Sequence, residues 1–312
     1  MKKGITKILS ACVFAFVVFL AAGTQSKAAV NMGVKQTGAG SSYVDLAWDA
    51  QLGAGHYHTQ FSQDGKNWID MDNSSSPSES VYNLTQGASY YARVVAYKGS
   101  HYTGTHVMIG VSETAIVSTK PTEVSGLTQT AAGVNSVSMS WNASAGAASY
   151  VIYGYINYNW TQIGTSATNS ATITGVAATT STRFSVAAVK NVTGGTVTGD
   201  QCSGVEMKAI PIKVSRIAMQ YYWDSLKEAK YIWTDVNNAD GYQYEVKSAN
   251  GKKTYFRATS TNSYTYVKPF PRGIFVKARV RAYVTVGNKV YYGAWSPYTY
   301  HASVSYTHLT LP

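Results

Sequence analysis

Histidine, carboxylate and guanidinium groups are the side chains here whose spacing could do chemistry. His56 and His58 stand two apart, so a strand would turn both imidazoles to one face, and His101 and His106 follow in a later loop. Imidazoles hold a metal when further ligands join them, and no acidic or cysteine partner stands at a suitable spacing. Asp70 and Asp72 precede Ser74-Ser75-Ser76, without the additional oxygen ligands and fixed glycine turn of a calcium loop. The chain has no GxSxG, no HExxH, no P-loop and no dinucleotide fingerprint. Its carboxylates are few and scattered, which suggests no glycosidase pair. The expectation is no catalytic residue, no cofactor and no metal site in the residues present.

The cations carry more information. The net charge is +11, and it is unevenly placed. Residues 212–312 hold fourteen basic and five acidic residues, whereas 30–120 hold five and seven and 121–211 hold three of each. Lys277, Arg279 and Arg281 alternate with Val276, Ala278, Val280 and Ala282, so a strand would turn the three cations outward together. Lys253 and Arg257 flank Tyr255 in a similar alternation. The expectation is one patch of Lys253, Arg257, Lys277, Arg279 and Arg281 with Tyr244 and Tyr255, partly neutralised by Glu245 and Asp224. Such a surface attracts polyanions through long-range fields and cation–π packing. The competing reading is an ordinary solvated face. Trp68, Tyr158 and Trp160 near hairpins could stack on sugar rings, against the simpler reading of cross-strand packing.

The elements that position these groups follow from a repeat. Trp48, Trp141 and Trp233 are separated by 93 and 92 residues, and each is followed nine positions later by Tyr57, Tyr150 and Tyr242. Leu84, Val176 and Phe270 recur in step, each followed by Val94, Val186 and Val280 and then by Ala96, Ala188 and Ala282. A fixed period is the signature of an array, and one this long lets each copy bury its own core. Inside each copy the period is two, and Asp64-Gly65 and Asn250-Gly251 are hairpin signals. About seven short strands per copy argue an antiparallel β-sandwich. Composition agrees: 45% hydrophobic and only 13% charged residues, with 25 tyrosines, favour strands over salt-bridged helices.

These units resemble fibronectin type III domains. The resemblance spans about residues 31 to 303 and rests on the early Trp, the Tyr at +9, and the later apolar-x5-Tyr-x-apolar-x-Val-x-Ala run. Ala239-Asp240-Gly241-Tyr242 and Gly293-Ala294-Trp295-Ser296-Pro297 make the third copy the nearest to the pattern. The family's corner tyrosine matches Tyr90, while Thr182 and Val276 occupy that slot in the other copies. The resemblance implies a disulfide-free, seven-stranded sandwich used as a spacer or binding module, with no catalytic residue to carry over. No Arg-Gly-Asp tripeptide occurs.

The expected organisation is therefore all-β: three tandem immunoglobulin-like antiparallel β-sandwiches at 29–120, 121–211 and 212–303, after a signal peptide at 1–28. Lys2, Lys3 and Lys7, an uncharged run from Ile8 to Gly23, and small residues at Ser26 and Ala28 are the signal. Removing it leaves Cys202 as a lone thiol, read as a small half-buried strand residue. Pro121 and Pro211 mark short, stiff junctions. Val304 to Pro312 resembles a translated sequencing adaptor, which leaves the natural chain free to continue past Ser303. The function expected is a non-catalytic, secreted or surface-associated bacterial spacer and adhesion protein. Its partner is an anionic cell-wall polymer, a polysaccharide or another surface protein; export argues against nucleic acid. The alternative is the N-terminal accessory region of a longer secreted enzyme acting on polysaccharide.

Overall fold

The computed structural model describes residues 29–99 and 106–303. The expected leader, His101 and the adaptor-like tail lie outside the described residues. Within them the regular elements are all β-strands.

The first unit comprises β1 (Ala29–Val30), β2 (Lys35–Ala39), β3 (Val44–Ala47), β4 (His56–Ser62), β5 (Ile69–Ser74), β6 (Ser78–Val81), β7 (Ser89–Lys98), β8 (Val107–Ser112) and β9 (Ala115–Ser118). The second comprises β10 (Thr128–Gly133), β11 (Ser136–Ser140), β12 (Ser149–Ile156), β13 (Asn159–Ser166), β14 (Ser170–Thr174), β15 (Thr182–Val192), β16 (Gly195–Thr198) and β17 (Val205–Met207). The third comprises β18 (Ile217–Trp223), β19 (Glu228–Trp233), β20 (Gly241–Ser248), β21 (Thr254–Ser260), β22 (Tyr264–Val267), β23 (Phe275–Val286), β24 (Lys289–Tyr292) and β25 (Thr299–Ala302).

One topology is written three times. A three-stranded sheet (β2-β3-β6, β10-β11-β14, β18-β19-β22) is joined by a larger one (β1-β8-β7-β4-β5, β13-β12-β15-β16, β21-β20-β23-β24). A last strand, β9, β17 or β25, also pairs with the long central strand of the larger sheet. All pairings are antiparallel except β1 with β8. Residues of both sheets in each unit meet in one apolar cluster, so there are three cores. The chain is a tandem of β-sandwiches.

The landmark residues explain why. Trp48, Trp141 and Trp233 are buried, one to a core. Each indole meets its tyrosine edge-on, with centroids 5.4, 5.3 and 5.5 Å apart. Each tyrosine hydroxyl then accepts a hydrogen bond from the backbone N–H three residues past the tryptophan: Gln51 at 3.0 Å, Ser144 at 3.0 Å and Val236 at 2.7 Å. The spacing of nine thus encodes a turn whose inner amide is satisfied by the residue that ends it. Tyr242 also donates to Asp235, and its burial with that bond pushes its pKa up to about 12. Tyr90 closes a further corner in the first unit by accepting from Thr85 N–H (3.0 Å).

A second repeated device locks the central strands. Val94 N–H donates to Ser112 Oγ at 2.9 Å, and Val280 N–H to Ser296 Oγ at 3.0 Å. In the second unit Val186 N–H points at Cys202 Sγ, 3.3 Å away. Cys202 therefore stands in for a serine. It is buried and lies between β16 and β17, not half-buried on a strand as its isolation suggested.

The junctions are closed by direct contacts. A Cβ on Gly199 would lie 2.9 Å from Pro121 O, and one on Gly293 2.7 Å from Pro211 O, so only glycine lets those segments pass so close. Between the first two units Lys190 Nζ donates to Gly87 O, and Ile116 exchanges bonds with Thr193 (2.7 and 2.8 Å). Lys190 is only 4% exposed, and burial lowers its pKa. Lys208 bonds Asp240 at 2.7 Å across the second junction.

Replacing Tyr150 by Phe strands the Ser144 amide, and should cost about 1–2 kcal/mol in urea unfolding. Trp141→Ala, which empties part of the core, should cost about 3–5 kcal/mol. Equal stability of Tyr150→Phe and the parent would show that the hydroxyl is not the clasp.

Candidate functional site

The cations of the third unit gather on the outer face of its larger sheet. β20 lies between β21 and β23, so Glu245 stands opposite Arg257 on one side and Arg279 on the other. Gln243 stands opposite Arg281, and Lys247 opposite Lys277. This register brings Arg257 and Arg279 to Glu245 from either side, with Lys247 next to it on its own strand and Lys277 and Arg281 one pair further along on either side.

Glu245 is the centre. It is fully buried, and it accepts from Arg257 Nε (3.1 Å) and Nη2, Arg279 Nε (2.6 Å) and Tyr298 OH (2.9 Å), with Lys247 Nζ at 3.2 Å. Burial alone would raise its pKa. The hydrogen bonds from Arg257, Tyr298 and Lys247 and the charge of Arg279 outweigh that, and hold it at about 2. Arg281 is anchored through Nε and Nη2 to Gln243 Oε1, at 2.9 and 2.6 Å.

Aromatic rings interleave with these cations. Arg281 lies over Tyr292 (3.8 Å) and Trp295 (4.5 Å), and Arg279 over Trp295 (4.3 Å) and Tyr298 (4.7 Å). Lys277 follows over Tyr298 at 4.7 Å. The sequence Tyr292, Arg281, Trp295, Arg279, Tyr298, Lys277 is a ladder of alternating rings and cations, each contact favourable by about 0.5–2 kcal/mol. Stacking fixes the guanidinium planes, and the inner N–H edges are tied to the sheet.

The sequence expectation needs two corrections. Tyr244 is not on this face: it shares the inward face of β20 with Tyr242 and Val246 and is buried in the core. Tyr255 packs partly against that core, because a bulge between Val246 and Lys247 shifts the register and breaks the alternation with Arg257. Lys253, just before β21, is exposed, with its ammonium 5.1 Å from the Tyr255 ring. Asp224 pairs with Arg272 at 2.7 Å. Trp295, Tyr298 and Tyr292, which order the arginines, were not anticipated. Gly293-Ala294-Trp295-Ser296-Pro297 was the available signal.

The remaining candidates are placed differently. His56, His58 and His106 pack around Tyr97, with centroids 4.8–5.2 Å from its ring. His56 Nδ1 lies 2.9 Å from Gly99 O. Among the described residues no group of three His, Cys, Asp or Glu is arranged to hold a metal ion. Trp68 covers the Arg93 guanidinium at 4.0 Å, and Trp160 packs edge-on against Tyr155. No helix among the described residues is long and apolar enough to cross a membrane.

No family model and no curated protein matches the chain. Among solved structures it is similar to the FN1–FN3 domains of chicken CNTN1, at 15% sequence identity. That match covers 88% of this chain and 98% of the other, with a TM-score of 0.35.

Glu245 sets a pH dependence. Its folded pKa lies below the ordinary 4.5, so it contributes stability above that value and loses it as the pH falls toward about 2. Glu245→Gln should lose about 3 kcal/mol at pH 7. The variant should also show a flatter decline between pH 5 and pH 2 in urea unfolding. A parallel decline in both proteins would remove Glu245 from that role.

Proposed function

We propose that this chain is a non-catalytic extracellular spacer and adhesion protein. Its three sandwiches hold the cationic face of the third unit against an anionic polymer of the cell wall or an acidic polysaccharide. The observation that carries the reading is the ladder. Lys247, Arg257 and Arg279 meet one carboxylate, Lys277 and Arg281 stand beside them, and the excess of cations leaves the face positive, with ring contacts along Lys277, Arg279 and Arg281 in a row. A repeating polyanion is met by a repeating, ordered cation array, so little side-chain freedom is lost on contact. The resemblance to fibronectin type III modules and the leader-like N-terminus support a surface location. The alternative, an accessory region of a longer polysaccharide-active enzyme, is decided by whether the reading frame past Ser303 encodes a catalytic domain.

The full chain should be retained on heparin- or teichoate-coated resin at low salt and released as salt rises, because the contact is electrostatic. Lys253→Gln and Lys277→Gln leave the Glu245 bonds intact. Each should weaken binding about fivefold, at ~1 kcal/mol per charge near an anionic surface. Absence of retention at low salt, or retention that ignores salt, would sink the proposal.

A further inference from the structure

The hairpin between β12 and β13 is built against its own stability. Ile156 pairs with Asn159, so Asn157 and Tyr158 alone make the turn. Both have positive φ, 49° and 64°. Two central residues in the left-handed region define the turn type that prefers Asn followed by Gly. Asn157 suits its place; Tyr158 occupies the glycine place. The matching hairpins of the other units use Gly65 (φ 70°) and Gly251 (φ 77°) in the left-handed region. Of the six left-handed non-glycine residues described, four are asparagine and Tyr158 is the single aromatic.

Among the described residues no burial of the ring repays this. Tyr158 is 90% exposed. Beside it Trp160 and Tyr155, 37% and 38% exposed, meet edge-on with centroids 5.3 Å apart. Residues 155–163 contain no charged side chain, and amides at Asn157 and Asn159 flank the exposed ring. Backbone strain held at an exposed position is a mark of function when the packing does not explain it. Flat rings beside uncharged amides fit a ligand that offers apolar C–H faces and hydroxyl groups together.

We propose that this hairpin tip is a binding site for a neutral polysaccharide, with Tyr158 and Trp160 stacking on pyranose rings. It is independent of the cationic face in the third unit, since it lies on another sandwich and draws on none of that face's cations.

The test joins stability to binding. The full chain is run by affinity electrophoresis toward the cathode in gels containing hydroxyethylcellulose, xyloglucan, glucomannan or mixed-linkage β-glucan. Wild type should be retarded in at least one, and equally at low and high salt. Tyr158→Gly should bind at least tenfold more weakly while the second sandwich melts about 4 °C higher, because strain is relieved. Tyr158→Phe should keep binding, and so should Lys253→Gln/Lys277→Gln. Retardation of wild type in none of the four gels overturns the proposal, as does a Tyr158→Gly protein retarded like wild type. A Tyr158→Gly protein that melts no higher also overturns it, because the turn then holds no strain for a ligand to explain.

Discussion

One hydrogen bond, made three times, organises this molecule. A backbone amide just past a buried tryptophan has left its strand and has no ladder partner. A tyrosine hydroxyl six residues further on accepts it, at 2.7–3.0 Å in every unit. The tyrosine ring must enter the core to deliver that oxygen, and it does so edge-on against the indole. The turn, the crossing between the two sheets and the centre of the core are therefore fixed by one side chain. An unpaired amide at that depth would cost a fair fraction of a domain's marginal stability.

The third unit adds electrostatics to this frame. A carboxylate on the middle strand of a sheet is costly to bury, and Glu245 is tolerated because two arginines, a lysine and a tyrosine surround it. The first unit keeps a milder version at the same place: Gln60 accepts from Arg93 Nε at 2.7 Å, and Trp68 covers that guanidinium. In the second unit Tyr153 stands opposite Ser185 there, and no charge is involved. One sheet position thus carries a single cation in the first unit, no charge in the second and a charged cluster in the third, while the cores beneath keep the same plan.

Much of this was readable beforehand for a physical reason. Core positions obey two short rules, alternation along strands and a fixed distance from tryptophan to tyrosine, and both are written in the sequence. The inward turn of Tyr244 was also readable, because it stands two residues from Tyr242 and so shares its face. The ladder was harder. Trp295 and Tyr298 lie outside any strand, three apart, so no periodicity ties them to Arg279 and Arg281. The bulge beside Lys247 was equally hidden, since one extra residue in a strand leaves no mark in composition. Cys202 looked like an isolated thiol until the serines at 112 and 296 showed what it replaces.

Lys190 gives the first two sandwiches a mechanical character. Its ammonium sits beneath the neighbouring unit and spends a donor on the Gly87 carbonyl. Swivelling the pair apart would break that bond together with the paired Ile116–Thr193 bonds, so bending here is resisted by the contacts it would lose. The first two sandwiches thus meet through side-chain and backbone bonds as well as through the connecting chain.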